Sequence, residues 1–136
     1  MTGGIAMGVV AGTRIVNGVL VVDLAGRLTL GPEVEILRAE LLKAVDRGER
    51  RLLLNCDGLT YVDSAGVGEL VSAYSAVVRR GGELKLLKPN GRLREVLQIT
   101  RLDTLLPVCE DEETAVTAFT PASSLNAKRT LDRYSE

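Results

Sequence analysis

The 136-residue chain contains no histidine and no tryptophan. Without an imidazole, the Ser-His-Asp and Cys-His mechanisms have no general base, so both are excluded. The commonest zinc ligand is missing too, and Cys56 and Cys109 stand too far apart for a CxxC metal clip. Both cysteines sit in apolar runs, which predicts buried thiols and points weakly to a reducing compartment. Aromatic residues make up only 3% of the chain, too few to build base-stacking platforms. The net charge of -1 does not favour non-specific binding to nucleic acid. Long hydrophobic runs are missing as well. The apolar stretch GGIAMGVVAG near the start lacks a basic leader, and a bilayer span needs about 20 residues. These absences predict a cytoplasmic protein with no nucleic-acid partner, no membrane partner and no cofactor.

What is present is an ordinary globular composition, 46% hydrophobic and 26% charged. A chain of this length is most simply one domain, and it buries roughly two-thirds of its unfolded surface without disulfides or metals. Residues 1–12 are Gly-rich and predict a flexible N-terminus; residues 13–120 carry the folded pattern. Residues 121–136, PASSLNAKRTLDRYSE, lose the apolar period and predict a flexible or loosely docked tail.

Within 13–120, TRIV and VLVVDLAG flank Asn17-Gly18, a strong hairpin signal. Gly26 is read as the end of the second strand. Pro32, Glu33 and Glu35 suit the first turn of a helix carrying Leu37, Leu41, Leu42 and Val45, which Arg47-Gly48 closes. RLLLNC is short and uniformly apolar, as a central strand would be, with a polar turn after it. Val67, Leu70, Val71, Tyr74, Val77 and Val78 make a helical stripe that Gly81-Gly82 stops. ELKLL is the next strand, Pro89-Asn90-Gly91 a turn, and Leu93, Val96 and Leu97 mark a short helix. TLLPVC is an edge strand, because Pro107 cannot donate to a ladder, and DEETAVTAF starts a last helix behind its acids. Strands alternating with helices predict an α/β fold with a mixed, mostly parallel sheet, an N-terminal hairpin and about four helices.

The stretch YVDSAGVGEL stands out. It places an acid, a hydroxyl and two glycines at the start of a helix, just beyond a strand's carboxyl end, where ligands meet open α/β sheets. Asp63 or Ser64 suits an N-cap. Gly66 and Gly68 each cost about 1 kcal/mol relative to alanine inside a helix. Either they allow close packing on the sheet, or they leave the first turn bare for another molecule. A nucleophilic Ser64 has no histidine to activate it, and none of the four lysines shows SxxK spacing with it. DSAGVG lacks the lysine of a GxxxxGK[ST] phosphate loop, which leaves nucleotide binding as a minor reading that rests on the helix N-terminus alone.

The run from NCDGLTYVDSAGVGEL through VVRRGGELKLL to ITRLDTLLPV resembles the STAS domain of bacterial anti-sigma factor antagonists, as does VVDLAGRLTLG before it. The resemblance spans about residues 13–120 and makes that segment a STAS-like domain. It implies that Ser64 is a reversible phosphoacceptor and that the protein is a regulator, not an enzyme. The implied partners are a serine kinase that doubles as anti-sigma factor and a serine phosphatase. Unphosphorylated antagonist would bind the kinase and release a sigma factor; phosphorylation of Ser64 would switch it off. The implied partner-binding set is Asp23, Asn55, Thr60, Asp63, Ser64, Ala65, Gly66, Val67 and Gly68. Of these, Asp23 and Asn55 are otherwise strand-end polar residues and Thr60 a turn residue. The same family implies one alternative, a constitutive scaffold or subunit of a stress-sensing or lipid-transport complex.

Overall fold

The structure, a computed structural model, describes residues 9–29 and 31–119. The expectations for residues 1–8 and for the tail beyond Phe119 lie outside the described residues. Asn17 and Gly18 take φ of 49° and 80°, so both occupy the left-handed region that a two-residue hairpin turn requires. They join β1 (Val10–Val16) to β2 (Val19–Leu28) in antiparallel pairing. Helix α1 (Pro32–Asp46) then crosses to β3 (Arg51–Val62), and α2 (Ser64–Arg79) crosses to β4 (Glu83–Leu87). Helix α3 (Gly91–Ile99) and a single 3-10 turn lead to the edge strand β5 (Val108–Cys109), and α4 (Glu112–Thr117) follows. The sheet order is β1-β2-β3-β4-β5, parallel from β2 onward.

Side chains alternate across the pleat, and that alternation makes two cores. Leu20, Val22 and Leu24 of β2 and Leu52, Leu54 and Cys56 of β3 face α1, α2 and α3, where they meet Leu37, Leu41, Leu70, Val77, Leu93 and Leu97. Val19, Val21, Leu53 and Leu87 face the other way, onto Ala115, Val116 and Phe119 at the end of the described residues. Each large side chain removed from water contributes about 1.5–3 kcal/mol. The first core is much the larger and carries the domain.

Several expectations are corrected. Strand β1 begins at Val10, and Val9 and Val10 are buried, so residues 9–12 belong to the domain rather than to a flexible leader. Gly26 does not end β2; at φ 88° it stays paired with Leu59, and the register shifts before Arg27 and Leu28, where β3 carries an extra residue, Thr60. Strand β3 does not stop at Cys56. The supposed polar turn is still strand, with Leu59 and Val62 buried. Gly58, read as a turn residue, is there because a Cβ would sit 2.5 Å from the Leu24 carbonyl oxygen. The α2 stripe is shifted as well. Ala73 and Ala76 fill the seam, Val71 and Tyr74 are half-buried, and Val78 is 44% exposed. Cys56 is fully buried as expected, whereas Cys109 is only half-buried.

Candidate functional site

The corner at the start of α2 is built by a division of labour. Asp63 is the N-cap; its backbone is extended and its Oδ1 accepts a hydrogen bond from the Gly66 amide at 2.8 Å. The Asp63 amide in turn donates to the Leu28 carbonyl at 3.2 Å, tying the helix start to the end of β2. Ser64 is therefore the first helical residue and not the cap. It is exposed, and its hydroxyl makes no hydrogen bond to another described residue. No acidic residue lies in the first turn of α2, so the positive end of the helix dipole faces outward beside that hydroxyl.

The two glycines have different causes. A Cβ on Gly66 would lie 2.3 Å from the Leu28 carbonyl oxygen and 3.0 Å from both Leu28 Cγ and Val62 Cγ1. Gly66 is thus a packing requirement: the helix touches the end of β2 through its backbone. A Cβ on Gly68 would meet nothing within 4 Å. Gly66 and Val67, placed in the partner-binding set, are buried and turn inward, so they offer little surface to a partner. Ser64 and Gly68 are exposed, and Ala65 is half-buried.

The elongated β2 and β3 bring other groups to this end of the sheet. Arg27 pairs with Tyr61 across the strands, and its guanidinium stacks on the ring 4.4 Å from the centroid. Thr60 is a strand residue rather than a turn residue, and its hydroxyl donates to the Gly26 carbonyl at 3.1 Å. Sequence reasoning passed over Arg27 and Tyr61 because both lie beyond glycines taken as breaks. The alternation of buried Leu28, Leu59 and Val62 with exposed neighbours was the signal that could have found them.

Asp23 and Asn55 are elsewhere. They pair with each other in mid-sheet, on the face that packs against α4. Seven residues separate Asn55 from Val62, about 20 Å of strand. The structure does not bring Asp23 or Asn55 to Ser64, and it corrects their placement at a strand end. Asp23 instead accepts hydrogen bonds from Asn55 Nδ2 at 2.8 Å, Arg14 Nε at 2.9 Å and Arg14 Nη2 at 3.1 Å. The same Arg14 also binds both carboxylate oxygens of Glu112, with Nη1 2.9 Å from Oε2. Burial pushes the Asp23 carboxyl up, but the bonds from Arg14 and Asn55 and the arginine's charge outweigh it and hold Asp23 below its ordinary range. The Arg14 hydrogen bond likewise holds Glu112 low. Arg14 and Glu112 were not singled out in the sequence, because a contact spanning 98 positions leaves no local pattern.

Among the described residues, no group of three or more His, Cys, Asp or Glu side chains could hold a metal ion. Burial pushes the Cys56 thiol up to about 12, which leaves it uncharged and unreactive in the core. No helix among the described residues is long and apolar enough to cross a membrane.

A mixed five-stranded sheet with three helices on one face and a short fourth on the other defines a single α/β domain, with an exposed serine on a capped helix. The sequence pattern of the STAS domain matches residues 11–115, and the chain belongs to that family. It is 34% identical over 107 residues to BtrV of Bordetella bronchiseptica, named as a candidate anti-sigma factor antagonist, with 79% of this chain and 91% of the relative covered. A solved structure from Thermotoga maritima, likewise named as a candidate anti-sigma factor antagonist, shares the fold at a TM-score of 0.71 and 20% identity, covering 77% of this chain and 90% of that one. The Bacillus cell fate determinant SpoIIAA, solved in its phosphorylated form, superposes with a TM-score of 0.62 at 26% identity, covering 79% of this chain and 97% of that one.

Proposed function

We propose that this protein is an anti-sigma factor antagonist whose binding to an anti-sigma factor serine kinase is switched by phosphorylation of Ser64. The single observation that carries the reading is the exposed Ser64 hydroxyl on the first turn of a helix that Asp63 already caps. The family supports it, as does a relative known in a phosphorylated form.

The chemistry is a simple transfer. Ser64 Oγ attacks the γ-phosphorus of ATP held by the kinase, the bond to the β-phosphate oxygen breaks, the hydroxyl proton goes to the kinase's base, and ADP leaves. A serine phosphatase hydrolyses the ester and resets the switch. Phosphorylation adds about -1.5 to -2 charge. At a helix N-terminus the dipole and free amides accept that charge, so the domain keeps its fold. The complex does not tolerate it equally. A dianion beside Asp63 would have to be buried against the partner, and disrupting a buried interface group costs about 2–5 kcal/mol. That corresponds to roughly 30-fold to several-thousand-fold in affinity. The exposed Thr60 and Gly68 and the half-buried Ala65 complete the contact surface.

Incubation with the source cell's anti-sigma factor kinases and ATP, followed by peptide mass spectrometry, tests the site. One phosphate on Ser64, absent from Ser64→Ala, is the expected result. Equal phosphorylation of Ser64→Ala refutes the site. Ser64→Asp binding the kinase as tightly as wild type refutes the switch and points to a constitutive scaffold.

A further inference from the structure

Next to Ser64, a groove of about 820 Å3 lies between α1 and α2. Pro32, Val34 and Leu42 of α1 and Ala65 of α2 supply apolar walls. Val34 is buried and Leu42 half-buried, so this surface continues the core outward. Ala39 lies on the groove's exposed rim. The charges are unbalanced. Among the described lining residues, Glu35 and Glu69 stand against one cation, Arg38.

Glu69 is the unusual member. Its side chain is only 16% exposed, and its Oε1 is buried without a hydrogen-bond donor. Arg38 Nε stands 3.7 Å away, near enough for charge attraction but beyond hydrogen-bond reach. A buried acceptor without a donor has given up its hydrogen bonds to water and received nothing in return. A basic side chain arriving from outside would supply the missing donor and balance the second acid. Ala65 connects this groove directly to the phosphoacceptor, since it follows Ser64 in the chain and forms part of the wall.

We infer that the α1–α2 groove is a docking site for the kinase itself: a segment of the anti-sigma factor kinase seats an apolar side chain between Pro32, Leu42 and Ala65 and places an adjacent arginine or lysine against Glu69. This rests on the reading of Ser64 given above and adds a second contact to it. The groove does not touch the transferred phosphoryl group. It holds the kinase in register with Ser64, so it acts on binding rather than on the chemical step. The two contacts therefore have separable signatures. A change at Ser64 removes phosphorylation, whereas a change in the groove weakens docking while Ser64 is still modified at saturating concentration.

The test uses the full chain and the kinase that phosphorylates it, with two variants. Ala39→Arg projects a bulky positive charge from an exposed position, and Glu69→Gln keeps the shape but removes the charge. Thermal melts establish that both fold. Titration calorimetry and steady-state phosphorylation are then compared with wild type. Ala39→Arg is expected to raise Kd and the KM for phosphorylation by about tenfold, a shift typical of an interface contact, and Glu69→Gln by about threefold or more, with kcat within twofold in both. Kd and KM unchanged in both variants overturn the docking site while leaving the Ser64 switch standing. A loss in Ala39→Arg with none in Glu69→Gln overturns the basic side chain. Loss of kcat with KM unchanged overturns a docking role. Failure of the wild-type chain to bind or be phosphorylated by any such kinase overturns the Ser64 reading, and this one with it.

Discussion

The corner at Ser64 and the cluster around Asp23 each centre on an aspartate that follows an apolar run, Tyr61-Val62 before Asp63 and Val19–Val22 before Asp23. They differ in how their hydrogen-bonding capacity is spent. Asp23 accepts from Arg14 and Asn55, and Arg14 reaches on to Glu112, so this cluster fastens β1, β2, β3 and α4 together. At the corner, Asp63 alone takes up the capping duty, which leaves the Ser64 hydroxyl exposed and uncommitted. A polar group satisfied inside the fold holds the fold; one relieved of structural work by its neighbour is available to a second molecule. The separation of the two sites, one in mid-sheet on the α4 face and one beyond the carboxyl end of β3, allows either to be altered without the other.

The sharpest way to break the comparison is Ser64→Asp. It should weaken kinase binding by roughly 30-fold or more and leave the melting temperature nearly unchanged. A large drop in melting temperature would mean that Ser64 is structural after all. Next is Gly66→Ala, where the new Cβ would press on the Leu28 carbonyl. Overpacking of this kind costs about 1–3 kcal/mol, and the helix propensity gained recovers only part of it. Gly68→Ala, two residues on, has open space and should instead stabilise by up to about 1 kcal/mol. Opposite signs in denaturant melts are the expected result; equal signs would remove the distinction between the glycines. Asp63→Ala should cost about 1 kcal/mol by loss of the cap, and Ser64→Ala much less.

The smallest effect belongs to the ion cluster. Arg14, Asp23 and Glu112 are each about one-third exposed, so solvent screens them and Glu112→Gln should cost only about 0.5–1 kcal/mol near neutrality. Its sign with pH is defined. Asp23 and Glu112 have lowered pKa values in the folded state, so the unfolded chain takes up protons first as pH falls. Their contribution is complete above the ordinary carboxylate range, near about pH 4–4.5, and is lost as pH falls through the lower folded values. Urea melts between pH 6 and 3 should therefore show wild type losing its advantage over Glu112→Gln at the acid end. A constant difference across that range would show that the cluster does not sense protons.

Much of this was legible in the chain itself because the causes are local. Asn17-Gly18 can form only a few turns, and it made the predicted hairpin. Pro107 belongs at an edge, and it precedes the two-residue β5. The helical periods placed α1, α2, α3 and α4 in order, and the order of strands and helices implied the parallel sheet. The corner was visible as well, because an acid and a serine before an apolar period are a cap signal at short range. Two misreadings came from glycine: Gly26 reads as a strand end, and Gly58 lies in what reads as a polar turn, although both sit inside continuing strands and Gly58 allows a close backbone approach.

The sequence by itself determined the α/β class, the order of its elements and the position of the serine at the start of a helix, because propensity, turn geometry and period act over a few residues. Tertiary structure decided which of Asp63 and Ser64 caps the helix, why Gly66 differs from Gly68, that Asp23 and Asn55 belong to a distant ion cluster, and that a groove opens beside Ser64. Each of those depends on what a residue meets across the fold, and a contact between positions far apart in the chain leaves no trace in the spacing of either.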